Sequence, residues 1–321
     1  MDRTMKDIVT APVNPGKFQD PLRTAKGETR ASVPLSHPET LWFNTGTLCN
    51  IECRNCYILS SPSNDALVYL TESEVRDYLG QVRTRRWSLR EIAFTGGEPF
   101  MNPEMIGMAR AALEAGYEVL ILTNAMRPMM RKTMRAGLLD LAMTWRDKLT
   151  LRISVDHWSE ACHDEERGQG AFARMIEGMA WLRDNGIRMT VAGRTVWGES
   201  EAASRAGYAR FYAEHGFAID ADDPAATVLF PEMDEGADVP EISTACWDIL
   251  GKRPEDIMCA SSRMVVKRKG AARASVVACT LLPYAPEFDL GETLAEAERD
   301  VALNHPHCAK FCVLGGASCS R

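Results

Sequence analysis

Short apolar runs alternate along this chain with longer segments of helical periodicity. The runs at 41–43, 91–95, 117–123, 149–155, 187–196 and 226–230 read as buried strands. They are too short for helices and rich in β-branched and aromatic residues. Between them the pattern predicts helices. One starts near Leu70, where Thr71 and Glu74 form a capping box and Leu70 and Val75 a hydrophobic staple. A second has Asn102 as N-cap and Pro103 at its first position, and stops near Gly116. Three more run through about Trp145, from about Ala171 to Asn185-Gly186, and up to about Gly216. Six strands alternating with helices predict parallel pairing through right-handed crossovers. In such sheets the functional residues sit at the C-terminal ends of the strands.

Beyond 231 the pattern changes. Residues 264–277 contain a glycine between strand-like ends and predict a β-hairpin; residues 290–302 predict a helix. Residues 1–38 are rich in Pro, Lys, Arg and Thr and read as an extended lead-in or strap. The expected division is an N-terminal extension (1–38), a barrel (39–245) and a C-terminal module (246–321).

Composition narrows the class. The chain has 321 residues, 45% of them hydrophobic and 25% charged, which suits a globular core rather than disorder. Its net charge of −7 argues against broad electrostatic binding of nucleic acid. Residues 1–15 lack an apolar signal region, and no run approaches a membrane span. The expectation is a cytoplasmic protein with no membrane or nucleic-acid partner. Ten cysteines in such a chain point to metal or redox chemistry rather than disulfides.

Three of those cysteines, Cys49, Cys53 and Cys56, lie in one Cys-x3-Cys-x2-Cys run, directly after the first strand. Three thiolates can hold a [4Fe–4S] cluster by three irons and leave the fourth iron open. A structural zinc site would want four closed ligands, usually as two separated pairs, and no fourth Cys or His lies close by. A Gly96-Gly97-Glu98-Pro99 turn ends the second strand. Glycines there let the backbone approach a ligand closely; alone, such a turn would be an ordinary β-turn.

Together these motifs resemble the radical S-adenosylmethionine (SAM) enzymes, from about Thr40 to Pro231. The resemblance implies a partial (β/α)6 TIM-like barrel, a catalytic [4Fe–4S] cluster on Cys49, Cys53 and Cys56, and SAM chelated to the open iron. It implies reductive cleavage of SAM to a 5′-deoxyadenosyl radical that abstracts hydrogen from a substrate, with a flavodoxin- or ferredoxin-type electron donor. Gly96, Gly97 and Glu98 match the motif that meets the SAM amino group. Ser154 and Asp156 resemble a Ser-x-Asp that holds the SAM carboxylate and ribose, and Asn124 ends the third strand, where a polar side chain commonly faces SAM. Arg167 or Arg194 could pair with the SAM carboxylate, since a guanidinium suits a planar anion. For Ser154 and the arginines the plain alternative is a strand-end cap and surface charges. Two departures stand out. Asn55 precedes the third cysteine where an aromatic residue is common, and His157-Trp158 follow Asp156 where glycine is common; packed loop residues account for the latter pair.

A second group, Cys259, Cys279, Cys308, Cys312 and Cys319, falls in the C-terminal module. A hairpin flanked by cysteines, then a helix and two more, resembles the auxiliary-cluster module called twitch, a reduced form of SPASM. That resemblance implies a second [4Fe–4S] cluster; a zinc site is the alternative, and spacing alone does not pick the ligands. Cys162 and Cys246 read as buried structural thiols. The substrate is expected to be a small molecule, with a peptide as the alternative. A non-catalytic iron–sulfur carrier or scaffold would explain the cysteines but not the glycine turn or the barrel.

Overall fold

The computed structural model describes residues 16–231 and 238–316. Six parallel strands follow one another across the sheet: β2 (Thr40–Asn44), β3 (Glu91–Thr95), β4 (Glu118–Thr123), β5 (Leu149–Ser154), β6 (Arg188–Arg194) and β7 (Thr227–Phe230). A short strand, β1 (Ser32–Val33), precedes them. The intervening helices are α1 (Glu72–Arg85), α2 (Met105–Glu114), α3 (Lys132–Trp145), α4 (Glu160–Arg167), α5 (Ala171–Asp184) and α6 (Glu201–His215). The pattern therefore predicted the βα alternation correctly, and the architecture is an α/β partial barrel. The middles of the strands are mostly apolar because helices cover one face and the barrel interior fills the other. Phe43, Phe94, Ile121, Leu151 and Val191 are completely buried.

Local chemistry sets several element ends. Thr71 and Glu74 cap α1 reciprocally, as their spacing implied. Asn102 does not cap α2, which starts at Met105. The buried Asn102 amide instead donates to Thr45 O and Leu70 O, while its Oδ1 accepts from Glu104 N. It ties the chain after β2 to the start of α1. Helix α4 was not foreseen. Its sequence, Glu-Ala-Cys-His-Asp-Glu-Glu-Arg, has too few apolar residues to show a helical stripe.

The C-terminal hairpin forms as expected from β8 (Ser262–Val266) and β9 (Ser275–Val277), and β10 (Asp289–Gly291) extends it. It is joined to the barrel. Strand β8 runs parallel to β2, so among the described residues the sheet has nine strands in the order β10-β9-β8-β2-β3-β4-β5-β6-β7. The helix expected at 290–302 is absent. Leu290, Leu294, Ala297 and Val301 recur at helical spacing and are all buried, but a folded loop buries them. Gly291 has φ +110°, and the Glu296 carboxylate accepts from the backbone of Glu292 and Thr293. The loop ends in β11 (Val301–Ala302), which pairs with β1. The N-terminal segment is thus a strap on the C-terminal module. The buried Arg30 pairs with Glu241 at 2.5 Å and donates to Leu303 O. Near the end of the described residues comes a wide, π-type helical turn, Cys308–Leu314.

Candidate functional site

All six barrel strands point their C-terminal ends at one cleft, whose empty space is about 1120 Å3 including its open mouth. Cys49, Cys53 and Cys56 line it together with Gly96, Gly97, Asn124, Ser154, Asp156, Arg167 and Arg194. Residues from five separate strand ends and the helix α4 are thereby brought to one place.

Strand register puts the cysteine loop beside the glycine turn. Asn44 faces Thr95 at the ends of β2 and β3, so both segments leave the sheet at the same level. Gly97 N donates to Gly46 O at 2.8 Å and Glu98 N to Leu48 O at 3.1 Å. The two glycines are needed for this contact. A Cβ on Gly96 would lie 2.5 Å from Gly46 O, and one on Gly97 would lie 2.3 Å from Leu48 O. Their small size thus seats the cysteine loop as well as opening the cleft.

Glu98 stands behind the turn rather than among the cleft's lining residues. Only 2% exposed, it accepts from Phe100 N, Thr123 Oγ1 and Asn124 N, and so fixes the end of β4. Asn124, held this way, turns its amide to Asn50 Oδ1 at 2.9 Å and to Cys49 Sγ at 3.9 Å. Burial pushes the Glu98 carboxyl up from 4.5 to about 7, against hydrogen bonds that favour its charged form. An acid with a raised native pKa binds its proton more tightly when folded. Its contribution to stability is complete below about 4.5 and is lost as pH rises through about 7. Cluster-free Glu98→Gln should therefore gain stability relative to wild type across that window. Chemical denaturation would read this as a midpoint difference that shifts in favour of the variant from pH 4.5 to 7; a difference independent of pH would contradict it.

The opposite wall is built from α4. Asp156 accepts a bidentate pair from Arg167, at 2.7 and 3.0 Å. Arg194 donates to Glu166 Oε1 at 3.0 Å and to Asn55 O at 2.9 Å. Both arginines proposed for the SAM carboxylate are therefore already held by acids of this chain. Glu166, which the sequence gave no reason to single out, anchors the cysteine loop. It accepts from Asn55 N at 2.9 Å and Asn55 Nδ2 at 2.8 Å, and its own carbonyl accepts from Arg54 N. An acid in a charge-rich helix reads as solvated, so no sequence signal marks it. Asn55 occupies the position where an aromatic was anticipated, and its role here is this clamp. His157 is buried beside Trp158 and Trp197 and lies outside the cleft lining, a packed loop residue as expected.

The three thiols fit a metal cluster in their chemistry. Burial pushes Cys49 up to about 12, with Glu98 adding to it, and Cys53 up to about 11; Arg167 pulls both down. Such thiols stay protonated until iron replaces the proton. Ser60 N donates to Cys56 Sγ at 3.3 Å, and the Asn124 amide approaches Cys49. Donors of this kind stabilise sulfur that carries negative charge.

Four C-terminal cysteines, Cys259, Cys279, Cys308 and Cys312, are each no more than 8% exposed. They come from the turn before β8, the end of β9 and the wide helical turn. Burial pushes the Cys308 thiol up and the neighbouring Cys259 adds to it; Leu281 N donates to Cys279 Sγ at 3.3 Å. Cys319 lies outside the described residues. Cys162 and Cys246 are half-buried rather than buried, and neither lines the cleft. The module also reaches the first site. Thr280, Leu281 and Phe311 line the same cleft, Phe311 stacks on Phe230 at 5.7 Å, and Tyr284 Oη donates to Ile58 O at 2.8 Å. None of these contacts was visible in the sequence.

The parallel α/β partial barrel thus brings three thiols to one cleft at the ends of its strands. Residues 43–201 match the radical SAM superfamily, and the chain belongs to it. The chain is 31% identical over 170 residues to the antilisterial bacteriocin subtilosin biosynthesis protein AlbA of Bacillus subtilis (strain 168). That alignment covers 53% of this chain and 35% of the relative. It is 29% identical over 138 residues to the AdoMet-dependent heme synthase of Methanosarcina barkeri (strain Fusaro / DSM 804), covering 42% and 36%. The chain therefore spans about a third of the length of these curated relatives. Among solved structures, native anSMEcpe with bound AdoMet matches with a TM-score of 0.59 at 14% identity, over 85% of this chain and 83% of that one. This last likeness shows the shared fold. Membership implies a [4Fe–4S] cluster and SAM as cofactors. No helix among the described residues is long and apolar enough to cross a membrane.

Proposed function

We propose that this chain is a radical SAM enzyme that oxidises or rearranges a small molecule or a peptide. The observation that carries the reading is the convergence of Cys49, Cys53 and Cys56 on one cleft with the Gly96-Gly97 turn and the Ser154, Asp156 and Asn124 strand ends. Cys49, Cys53 and Cys56 would hold the cluster. When bound, the cluster and SAM supply reductive cleavage of a sulfur–carbon bond and abstraction of a hydrogen atom from the substrate. The chain's own residues do the rest. The glycine turn places backbone polar groups beside the cysteine loop, where an amino group would sit. Ser154 and Asp156 present a hydroxyl and a carboxylate on the facing side, and Asp156 is oriented by Arg167. Arg194 and Glu166 fix Asn55 and hold the loop closed around its thiols. Trp42, Phe230, Leu281 and Phe311 make the cleft largely apolar and exclude water from its inner part. A flavodoxin- or ferredoxin-type protein would deliver the electron.

Cys259, Cys279, Cys308 and Cys312 would bind a second [4Fe–4S] cluster, with Cys319 as a further candidate. Support comes from four buried thiols drawn from separate segments around one module. Among the described residues no three histidines, cysteines or acids converge closely enough to hold one metal ion, whereas a four-iron cluster spreads its thiolates over separate irons. The similarity to AlbA, a bacteriocin biosynthesis protein, favours a peptide substrate, and that to a heme synthase favours a small molecule. Anaerobically reconstituted protein is expected to bind about eight irons, from two four-iron clusters. Iron analysis with Mössbauer spectroscopy tests this. Addition of SAM should alter the signal of one iron in the first cluster. A limit of four irons removes the second cluster, and a spectrum unmoved by SAM removes the enzyme.

A further inference from the structure

Arg263 is a buried cation whose hydrogen bonds all end on neutral groups. It lies on β8, is 1% exposed, and is among the largest fully buried side chains in the molecule. Its Nε donates to Ala297 O at 2.9 Å, Nη1 to Cys259 O at 2.5 Å and Ser262 O at 2.8 Å, and Nη2 to Arg299 O at 3.3 Å. Among the described residues no carboxylate pairs with it. Three other well-covered arginines do have carboxylate partners: Arg30 pairs with Glu241, Arg167 with Asp156 and Arg194 with Glu166. A guanidinium does not give up its proton in a protein. Carbonyl dipoles satisfy its N–H groups, but none of these hydrogen-bond partners carries the opposite charge that would offset burial of the guanidinium.

The position of Arg263 indicates where that counter-charge belongs. It stands four residues after Cys259 and bonds the Cys259 carbonyl. Strand pairing of Met264 with Val277 places Arg263 level with Ala278, next to Cys279. Its charge is felt by Cys259 and Cys279, both proposed as cluster ligands, and by the exposed carboxylate of Asp300. Four thiolates outweigh the positive charge of an iron–sulfur core, and one-electron reduction adds a further negative charge.

We infer that Arg263 is the built-in counter-charge of the C-terminal cluster, a positioning residue that favours the cluster's assembly and holds its reduction potential up. This rests on the proposal that the C-terminal cysteines bind a cluster. The electron enters from an external one-electron donor, and a fixed positive charge stabilises the reduced form more than the oxidised one. Arg263 also ties residues 297 and 299 to the turn at Cys259, a purely structural role from which the electrostatic one must be separated.

The test uses the full chain with Cys49, Cys53 and Cys56 all replaced by alanine, so that only the C-terminal cluster titrates. Reduction is followed by EPR against a dithionite-poised mediator series, in this background and with Arg263→Met or Arg263→Lys added. The expected result is a midpoint lower in Arg263→Met by the equivalent of about tenfold in the reduction equilibrium, about 59 mV for one electron. Arg263→Lys, which keeps the charge and loses the fork of donors, should stay near the parent. If the methionine variant holds no iron while the lysine variant holds four, the counter-charge is supported through assembly. Equal midpoints in all three proteins, or equal shifts in both variants, would overturn it. Loss of iron from both variants would also overturn it, leaving a structural tie. A parent that binds no iron would remove the second cluster and the inference with it, an outcome distinct from the others.

Discussion

Cys53→Ala is expected to abolish 5′-deoxyadenosine formation from SAM. The proposed first cluster would have three protein ligands, and losing one leaves two thiols to hold it. The effect should be confined to the cluster. Cys53 lies in a loop anchored by Glu166 and by the Gly96-Gly97 contact, while the apolar core beneath it is complete without the thiol. Circular dichroism and the thermal midpoint of the cluster-free variant should therefore stay near those of cluster-free wild type. Wild-type rates of 5′-deoxyadenosine release by a well-reconstituted variant would refute the ligand assignment.

The parts of this site legible in the sequence are those whose chemistry depends on residue type at fixed spacing. Cys49, Cys53 and Cys56 announce a cluster because few other uses need three thiols in eight positions. The strands were legible because burial on both faces makes their middles mostly apolar. Glu98 was legible as a motif member but not in its role, since only the fold shows it turned toward Thr123 and Asn124. Glu166 was illegible, because its neighbours in α4 are mostly polar and its partner in the cysteine loop, Asn55, lies more than a hundred residues earlier. The helix at 290–302 was misread for a related reason. Periodicity reports which residues are buried, and a loop pinned by Gly291 and Glu296 buries the same set. The pairing of β8 with β2, which makes the C-terminal hairpin part of the barrel sheet, joins segments more than two hundred residues apart. No local pattern encodes it.

Cys279→Ala is the second substitution with a large expected effect, and it should separate two activities. Substrate turnover should fall by about tenfold or more, about 1.4 kcal/mol in barrier, while uncoupled 5′-deoxyadenosine release stays near wild type. The reason is spatial. The proposed SAM contacts all precede residue 231, whereas Cys279 sits at the end of β9 and accepts from Leu281 N. Leu281 and its neighbour Thr280 line the shared cleft. Loss of Cys279 would therefore disturb one wall of the proposed substrate space, and the second cluster proposed beside it, without touching the thiols of the first site. The comparison is made on soluble variant that retains its first cluster by Mössbauer spectroscopy. Equal loss of both activities in such protein would contradict the separation of roles.

The central claim is that the cleft at the ends of the barrel strands binds a cluster and SAM for radical chemistry. It is tested most directly by anaerobic incubation of the reconstituted wild-type chain with SAM and dithionite, followed by chromatography and mass spectrometry. The account predicts that 5′-deoxyadenosine and methionine accumulate together, in amounts that depend on the reductant. Intact SAM after prolonged incubation with protein that carries its first cluster would contradict it.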